Sequence, residues 1–323
     1  MMHLDAAQLA RCLPRDRLID ALDAAFRGDI QVPLRQHHAL GGAAAAGAAL
    51  LIMPAWRVPT AVAPGAMGVK LVTVFPDNAA RGQGAVQATY TLFDMATGVP
   101  LATLDGAELT HRRTGAASAL AARYLARTDA SRLLMVGTGA LAPHVIASHA
   151  AVRPLREVRI WGRTPARAAA LAATLRTAGA GFTIDVAPDL EAAVRWADIV
   201  SCATLSAEPL VHGAWLRPGQ HLDLIGSFRP DLREADEAAL LAADIYVDTR
   251  AGALSESGEL VQAIAAGAMS AGDVRGDLGE LARGSAPGRR SERQVTLFKS
   301  VGTALEDLAA AELAVAALGQ GGG

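Results

Sequence analysis

Cysteine is nearly absent from this 323-residue chain. Cys12 and Cys202 are too few for a disulfide framework and too isolated for a thiolate metal cluster, which fits a reducing compartment. An excess of either charge is missing as well, with a formal net charge of −2. That balance excludes nucleic acid and anionic membrane as the main partners. Long apolar runs are also lacking. The uncharged stretch 39–56 is mostly Gly and Ala over its first two-thirds and is closed by Pro54, so it does not span a bilayer. The first residues carry Asp5, Arg11, Arg15 and Asp16, which is not a signal-peptide pattern, and a cytoplasmic location is the expectation. No internal repeat, nucleophile elbow, Ser–His–Asp arrangement or metal-ligand spacing can be assembled, and no metal is expected.

What is present begins with Leu133-Leu-Met-Val-Gly-Thr-Gly-Ala-Leu-Ala142. An apolar run, a glycine turn and a helical pattern follow one another, as in a pyrophosphate-binding turn. Gly137 permits the tight turn, and Gly139 lets the backbone approach phosphate. Ala140 and Leu141 lead into the helix start, where N–H groups and the helix dipole face an anion. Ala142 supplies the third small residue. About 20 residues on, Glu157–Trp161 reads as a second strand, followed by Gly162-Arg163-Thr164. The carboxylate that would bind a ribose 2′-hydroxyl is missing there. Arg163, beside Thr164, suits a 2′-phosphate instead, so NADPH is expected, with NADH as the alternative.

The length is enough for two domains. Residues 1–29 carry helical periodicity, and strand-like segments follow at 49–53, 68–75, 86–93 and 101–104. Turn residues Pro64-Gly65, Pro76-Asp-Asn78 and Thr97-Gly98 separate them, which predicts a mostly antiparallel meander. A helix is predicted over 109–127. From Ser131 short strands alternate with helices, the pattern of an α/β doubly wound parallel sheet. Strands are predicted at 133–136, 157–161, 182–186, 198–203, 221–225 and 244–247, with helices at 165–178 and 189–197. After a polar loop at 284–293 come a strand at 294–298, a helix at 301–318 and a disordered glycine tail at 319–323.

Lys70 is the sharpest candidate outside the nucleotide fold. Along Gly68-Val-Lys-Leu-Val-Thr-Val-Phe75 both strand faces are apolar around it. An ammonium there requires an anionic partner or an acid–base task, unless the strand is an edge from which the side chain snorkels outward. Arg113 shares a helix face with Ala117, Leu120 and Tyr124. An arginine on such a stripe is either a clamp for carboxylate or phosphate, or the partner of Asp105 or Glu108. Arg112 and His111 lie off that face and are expected in solvent. Arg35, in Val32-Pro-Leu-Arg-Gln-His-His38, reads as a loop arginine.

Several of these segments together resemble the ornithine cyclodeaminase/mu-crystallin family. They are Pro33-Leu-Arg-Gln-His37, Leu51-Ile-Met-Pro-Ala-Trp56, the Lys70 strand, and Leu109-Thr-His-Arg-Arg-Thr-Gly-Ala-Ala-Ser118. Gly226-Ser-Phe-Arg-Pro-Asp-Leu-Arg-Glu234, Val247-Asp-Thr249 and Thr296-Leu-Phe-Lys-Ser-Val-Gly302 continue the likeness. The resemblance implies a Rossmann domain at 126–298, inserted in an α+β substrate-binding and dimerisation domain of residues 1–125 completed by 299–323. It implies a homodimer built through the meander strands. Lys70, Arg113 and Arg35 would surround a substrate carboxylate and the reacting carbon, with Met53 and Phe228 also lining the substrate. Thr204, Ser300 and Gly302 would lie near the cofactor.

Two carboxylates of the cyclodeaminase pattern are replaced, by Leu51 and Phe228, which disfavours an amine-bearing substrate. The Ser-Phe-Arg-Pro-Asp and Trp-Gly-Arg-Thr versions look more like the ketimine reductases of the family. The implied activity is NAD(P)H-dependent reduction of Δ1-pyrroline-2-carboxylate or Δ1-piperideine-2-carboxylate to proline or pipecolate. An ornithine cyclodeaminase with bound NAD, an alanine-dehydrogenase-like enzyme and a mu-crystallin-like binder of NADPH and a small ligand remain the alternatives.

Overall fold

The computed structural model describes residues 1–41, 47–60, 65–75, 77–78 and 82–319. Pro64, Pro76 and the glycine tail from 320 onward, all part of the expectations above, lie outside the described residues. The chain divides into two compact units, Met1–Arg113 with Thr303–Gly323, and Thr114–Gly302.

The first unit opens with β1 (Met2–Leu4), α1 (Ala6–Cys12) and α2 (Arg15–Arg27). The helical periodicity of residues 1–29 is thus split at Pro14, which cannot continue a helix and stands as the N-cap of α2. Then come β2 (Gln36–Ala39), β3 (Ala49–Arg57), β4 (Ala66–Val74), β5 (Val86–Asp94), β6 (Pro100–Asp105) and α3 (Gly106–Leu125). The boundary between the units falls inside α3, and the family resemblance implies one at 125.

The sheet order is β1-β6-β5-β4-β3-β2, antiparallel throughout except that β1 joins β6 in parallel. The last helix of the chain, Ala304–Gly319, packs on α2 and on β3, β4 and β5. It covers the sheet face that carries Met53, Lys70, Tyr90 and Leu92, all buried. Pro54 lies inside β3, beyond the last residue paired with β2, where a missing N–H costs no ladder bond on that side.

The second unit contains β7 (Arg132–Val136), α4 (Ala142–Val152), β8 (Glu157–Trp161), α5 (Pro165–Thr177), β9 (Thr183–Val186), α6 (Leu190–Trp196) and β10 (Ile199–Cys202). It continues with β11 (His221–Leu224), α7 (Glu237–Leu241), β12 (Asp244–Val247), α8 (Arg250–Glu256), α9 (Gly258–Ala265), β13 (Val274–Asp277), α10 (Leu278–Arg283) and β14 (Thr296–Lys299). The closing helix of the first unit is therefore α11.

All eight strands are parallel, in the order β13-β12-β14-β11-β10-β7-β8-β9. Strands this apolar, with β7, β10 and β11 wholly buried apart from Arg132, suit a sheet covered on both faces. The order reverses direction between β7 and β10. In such sheets ligands bind outside the carboxyl ends of the strands at that point. No described helix is long and apolar enough to cross a membrane.

Candidate active site

At the carboxyl end of β7 the chain turns through Gly137 with φ +120°, a region L side chains rarely adopt. A Cβ there would lie 2.6 Å from the Ala203 carbonyl oxygen, so conformation and space both demand glycine. Its N–H donates to the Trp161 carbonyl at 2.9 Å, tying the turn to the end of β8. Gly139 faces open space, with no heavy atom within 4 Å of where a Cβ would stand. Ala140 and Leu141 follow, and α4 starts with Leu141 as its N-cap and no side-chain capping bond. Such a helix start presents N–H groups and the positive dipole end to an anion. Past β8, Arg163 and Thr164 are exposed, and Thr164 caps α5 without a side-chain bond. Room over Gly139 and an uncapped helix start fit the pyrophosphate of a dinucleotide.

The loops after β10, β11 and β14 are held by carboxylates, of which Glu234 and Asp248 lie in segments that carry the family resemblance and Glu259 does not. Glu234 accepts the Thr204 N–H at 2.6 Å and hydroxyl at 2.9 Å on one oxygen, and the Gly226 N–H at 2.6 Å on the other. Glu259 accepts the Glu234 N–H at 2.7 Å and the Ser227 hydroxyl. Lys299 donates Nζ to the Leu224 carbonyl at 3.2 Å and lies 3.8 Å from Glu259. Burial, with the charge of Glu259 added, pushes the Glu234 carboxyl up to about 7, against the pull of Lys299. Asp248 accepts the N–H groups of Val301 at 2.7 Å and Gly302 at 2.6 Å, and Ser300 donates its N–H to Leu224 at 3.1 Å. Thr204, Ser300 and Gly302 are therefore on braced loops. Phe228, half-buried, follows β11 in the same unit. One signal could have found Lys299: it and Lys70 are the only lysines of the chain, every other basic residue of the 30 Lys and Arg being arginine.

A Ser–His–Asp grouping does occur in this unit, although residue spacing suggests none. Asp223 accepts Ser201 at 2.6 Å and Ser118 at 3.0 Å, and lies 3.2 Å from His149 Nε2. Serine and histidine both bond to the carboxylate and not to each other, and all four residues are buried. The group ties α3, α4, β10 and β11 together and has no activated nucleophile.

In the first unit, Lys70 is 1% exposed on β4, between Met53 of β3 and Tyr90 of β5 in register. Its Nζ lies 2.7 Å from Asp307 Oδ2 and 2.9 Å from Oδ1. Arg113 is buried on α3 and donates Nε to Asp307 Oδ1 at 2.9 Å and Nη1 to Glu306 Oε2 at 2.5 Å. Its Nη2 makes no hydrogen bond among the described residues. The snorkelling alternative for Lys70 is excluded. So is the pairing of Arg113 with Asp105 or Glu108: Asp105 accepts the Glu108 N–H, and Glu108 meets Arg112 one helical turn on. Arg112 is not in open solvent either, since it also donates to the Leu13 carbonyl.

Glu306 and Asp307 lie in the first turn of α11, where the helix dipole favours acids. Burial and then the nearby Arg113 charge push Lys70 down to about 8, while Asp307 pulls the other way. Burial works to raise the Asp307 carboxyl, but Lys70 and Arg113 hold it below the ordinary carboxylate range. Arg35 is half-buried just before β2, and its charge is felt at Lys70. Met53 is 4% exposed and Leu51 8%, so the strip beside Lys70 on β3 is apolar.

A family model described as ornithine cyclodeaminase/mu-crystallin family matches residues 11–318. The chain is 44% identical over 244 residues to a Δ1-pyrroline-2-carboxylate reductase of Paracoccus denitrificans, covering 75% of this chain and 76% of that one. It is similar to the structure of Thermococcus litoralis Δ1-pyrroline-2-carboxylate reductase in complex with NADH and L-proline, with TM-score 0.93 and 31% identity, over 100% and 98% of the two chains. An archaeal alanine dehydrogenase dimer with bound NAD is similar too, with TM-score 0.89 and 30% identity, over 100% and 98%.

Proposed function

The chain belongs to the ornithine cyclodeaminase/mu-crystallin family, and within it we propose that it reduces a cyclic ketimine carboxylate to the corresponding cyclic amino acid. The observation that carries this reading is the buried pair of Lys70 and Arg113, with Arg113 Nη2 uncommitted. Nη2 and the Arg35 guanidinium are the donors for the substrate carboxylate, and they fix its orientation. Lys70 supplies the proton that the ring nitrogen takes as the C=N electron pair moves onto it. When bound, the reduced nicotinamide supplies the hydride for C2. The lysine is left as the amine and is recharged from water, so one proton and one hydride are added per turnover.

Leu51 and Met53 put an apolar strip beside the lysine, which suits a ring without a distal amine. This disfavours the cyclodeaminase and alanine-type alternatives, and the buried acid–base pair disfavours a purely ligand-holding role. Arg163 favours NADPH over NADH. The sheet face opposite Lys70 carries Ile52, Trp56, Met67, Val69, Leu71 and Phe93, all at least partly exposed, and supports a homodimer through that face.

One assay tests the reading: oxidation of NADPH and NADH with the five- and six-membered ketimine carboxylates, beside ornithine and pyruvate-plus-ammonia controls. Ketimine-dependent oxidation, faster with NADPH, is expected. Turnover of ornithine or pyruvate alone would overturn it.

A further inference from the structure

Asp307 differs from Glu234, Glu259 and Asp248 in what it touches. Glu234, Glu259 and Asp248 each accept backbone N–H groups and so hold loops in place. Asp307 accepts two side-chain cations, and one of its oxygens serves both: Oδ1 lies 2.9 Å from Lys70 Nζ and 2.9 Å from Arg113 Nε. Those cations come from different elements, β4 and α3, and the carboxylate from a third, α11. Because the acceptors engage Nε and Nη1, the Nη2 corner is the one left to a ligand. Glu306 touches Arg113, whereas the lysine's contact is with Asp307.

Resting on the proposed reduction, we propose that Asp307 is a positioning residue for it: a single carboxylate that fixes the Lys70 ammonium, keeps it charged, and turns the Arg113 guanidinium so that Nη2 meets the substrate. Glu306 is the secondary support, acting on Arg113 alone. The charged and titratable groups facing Lys70 are Arg113 from α3, Arg35 from the segment before β2, Glu306 and Asp307 from α11, and the buried Tyr90 from β5. Of these, Asp307 alone is an anion in contact with the lysine. The direction at Lys70 agrees, since burial and Arg113 lower it and Asp307 raises it.

The test exploits the two-lysine composition. Protein labelled with 13C at lysine Cε gives two side-chain signals, and Lys70→Arg assigns them. In the ligand-free wild type, the Lys70 signal titrates near the alkaline limb of kcat/KM for the ketimine. In Asp307→Asn its midpoint moves to lower pH, the alkaline limb moves with it, and kcat/KM at pH 8 falls about tenfold for each tenfold loss of the charged form. At pH 6 the kcat deficit narrows. Glu306→Gln leaves the Lys70 midpoint in place and raises KM instead, and Asp307→Glu returns the limb toward the wild-type position.

A Lys70 midpoint that does not move in Asp307→Asn, or moves while the activity limb stays, overturns the proposal. If Asp307→Asn does not fold, Asp307→Glu takes its place, and a Lys70 midpoint and a ketimine KM both equal to those of the wild type there overturn the proposal. An alkaline limb that fails to coincide with the Lys70 titration sinks the coupling. If no ketimine is reduced by the wild type, the proposed function fails instead, and the NMR midpoints show that separately.

Discussion

Around Lys70 in the first unit, charges meet side chain to side chain; around Lys299 in the second, they meet backbone. Both lysines are at most 1% exposed, and both have carboxylate neighbours. The Lys70 cluster balances two cations against Glu306 and Asp307, with the Arg35 charge close by. The Lys299 cluster has the opposite balance, with Glu234 and Glu259 against one lysine. Its acidic excess is absorbed by the N–H groups of Thr204, Gly226 and Glu234. A buried charge leaves water only at a cost, which must be offset locally. The difference teaches that the partner of a buried charge, more than its burial, separates chemistry from architecture. A cation held by side chains can keep a donor for a ligand, as Arg113 keeps Nη2, whereas acids held by backbone N–H groups have committed their acceptor oxygens to the fold.

The largest expected effect breaks the comparison most directly. Lys70→Met should lower kcat/KM for the ketimine by about 10³-fold, the scale of a lost general acid, while the protein stays folded. Folding survives because Asp307 keeps Arg113 as a partner. Steady-state kinetics beside a urea melt check this. Turnover near that of the wild type would remove Lys70 from the reaction.

Lys299→Met should do the reverse. It leaves Glu234 and Glu259 with no lysine between them, and unfolding free energy should fall by about 3 kcal/mol, as for a buried pair losing one member. The loss in kcat should be smaller than for Lys70→Met. Equilibrium unfolding of the ligand-free protein reads it. If both lysine variants lose activity and keep stability alike, the contrast between the clusters is wrong.

Much of this is legible in the amino-acid sequence, and what is not has a common cause. The turn at Gly137 and Gly139, the parallel alternation after Ser131 and the burial of Lys70 and Arg113 all rest on patterns within a few residues. The partners do not: Asp307 is 237 positions from Lys70 and 194 from Arg113. Glu306 and Asp307 read as ordinary acids at a helix start, and Asp105 and Glu108 suggest themselves as partners because they are near in sequence. Strands β1, β2 and β13 escape the pattern because polar or charged residues break their apolar runs, as in Gln36-His-His-Ala39 and Val274-Arg-Gly-Asp277, and β2 is exposed along its length. Without a run of apolar residues, so short a segment carries no strand signal. Leu51 and Phe228 gain meaning only from the family resemblance, since an apolar residue replacing a carboxylate has no signature of its own.

The smallest effect concerns a cation outside both clusters. Arg163 is exposed after β8, with no burial cost to offset and no carboxylate of its own in Gly162-Arg163-Thr164. It contrasts with Lys70 in being able to wait in water until an anion arrives. Arg163→Ala should raise KM for NADPH by about tenfold and leave KM for NADH nearly unchanged, the size of one charge-assisted contact to a phosphate. Because the contact is at the surface, added salt should raise the wild-type KM for NADPH more than that for NADH, whereas the Lys70 pair, shielded from solvent, should hardly respond. Measuring both KM values at low and high ionic strength separates the cases. Equal losses for the two cofactors would mean that Arg163 does not read the 2′-phosphate, and a salt-independent preference would place the discriminating charge in the interior.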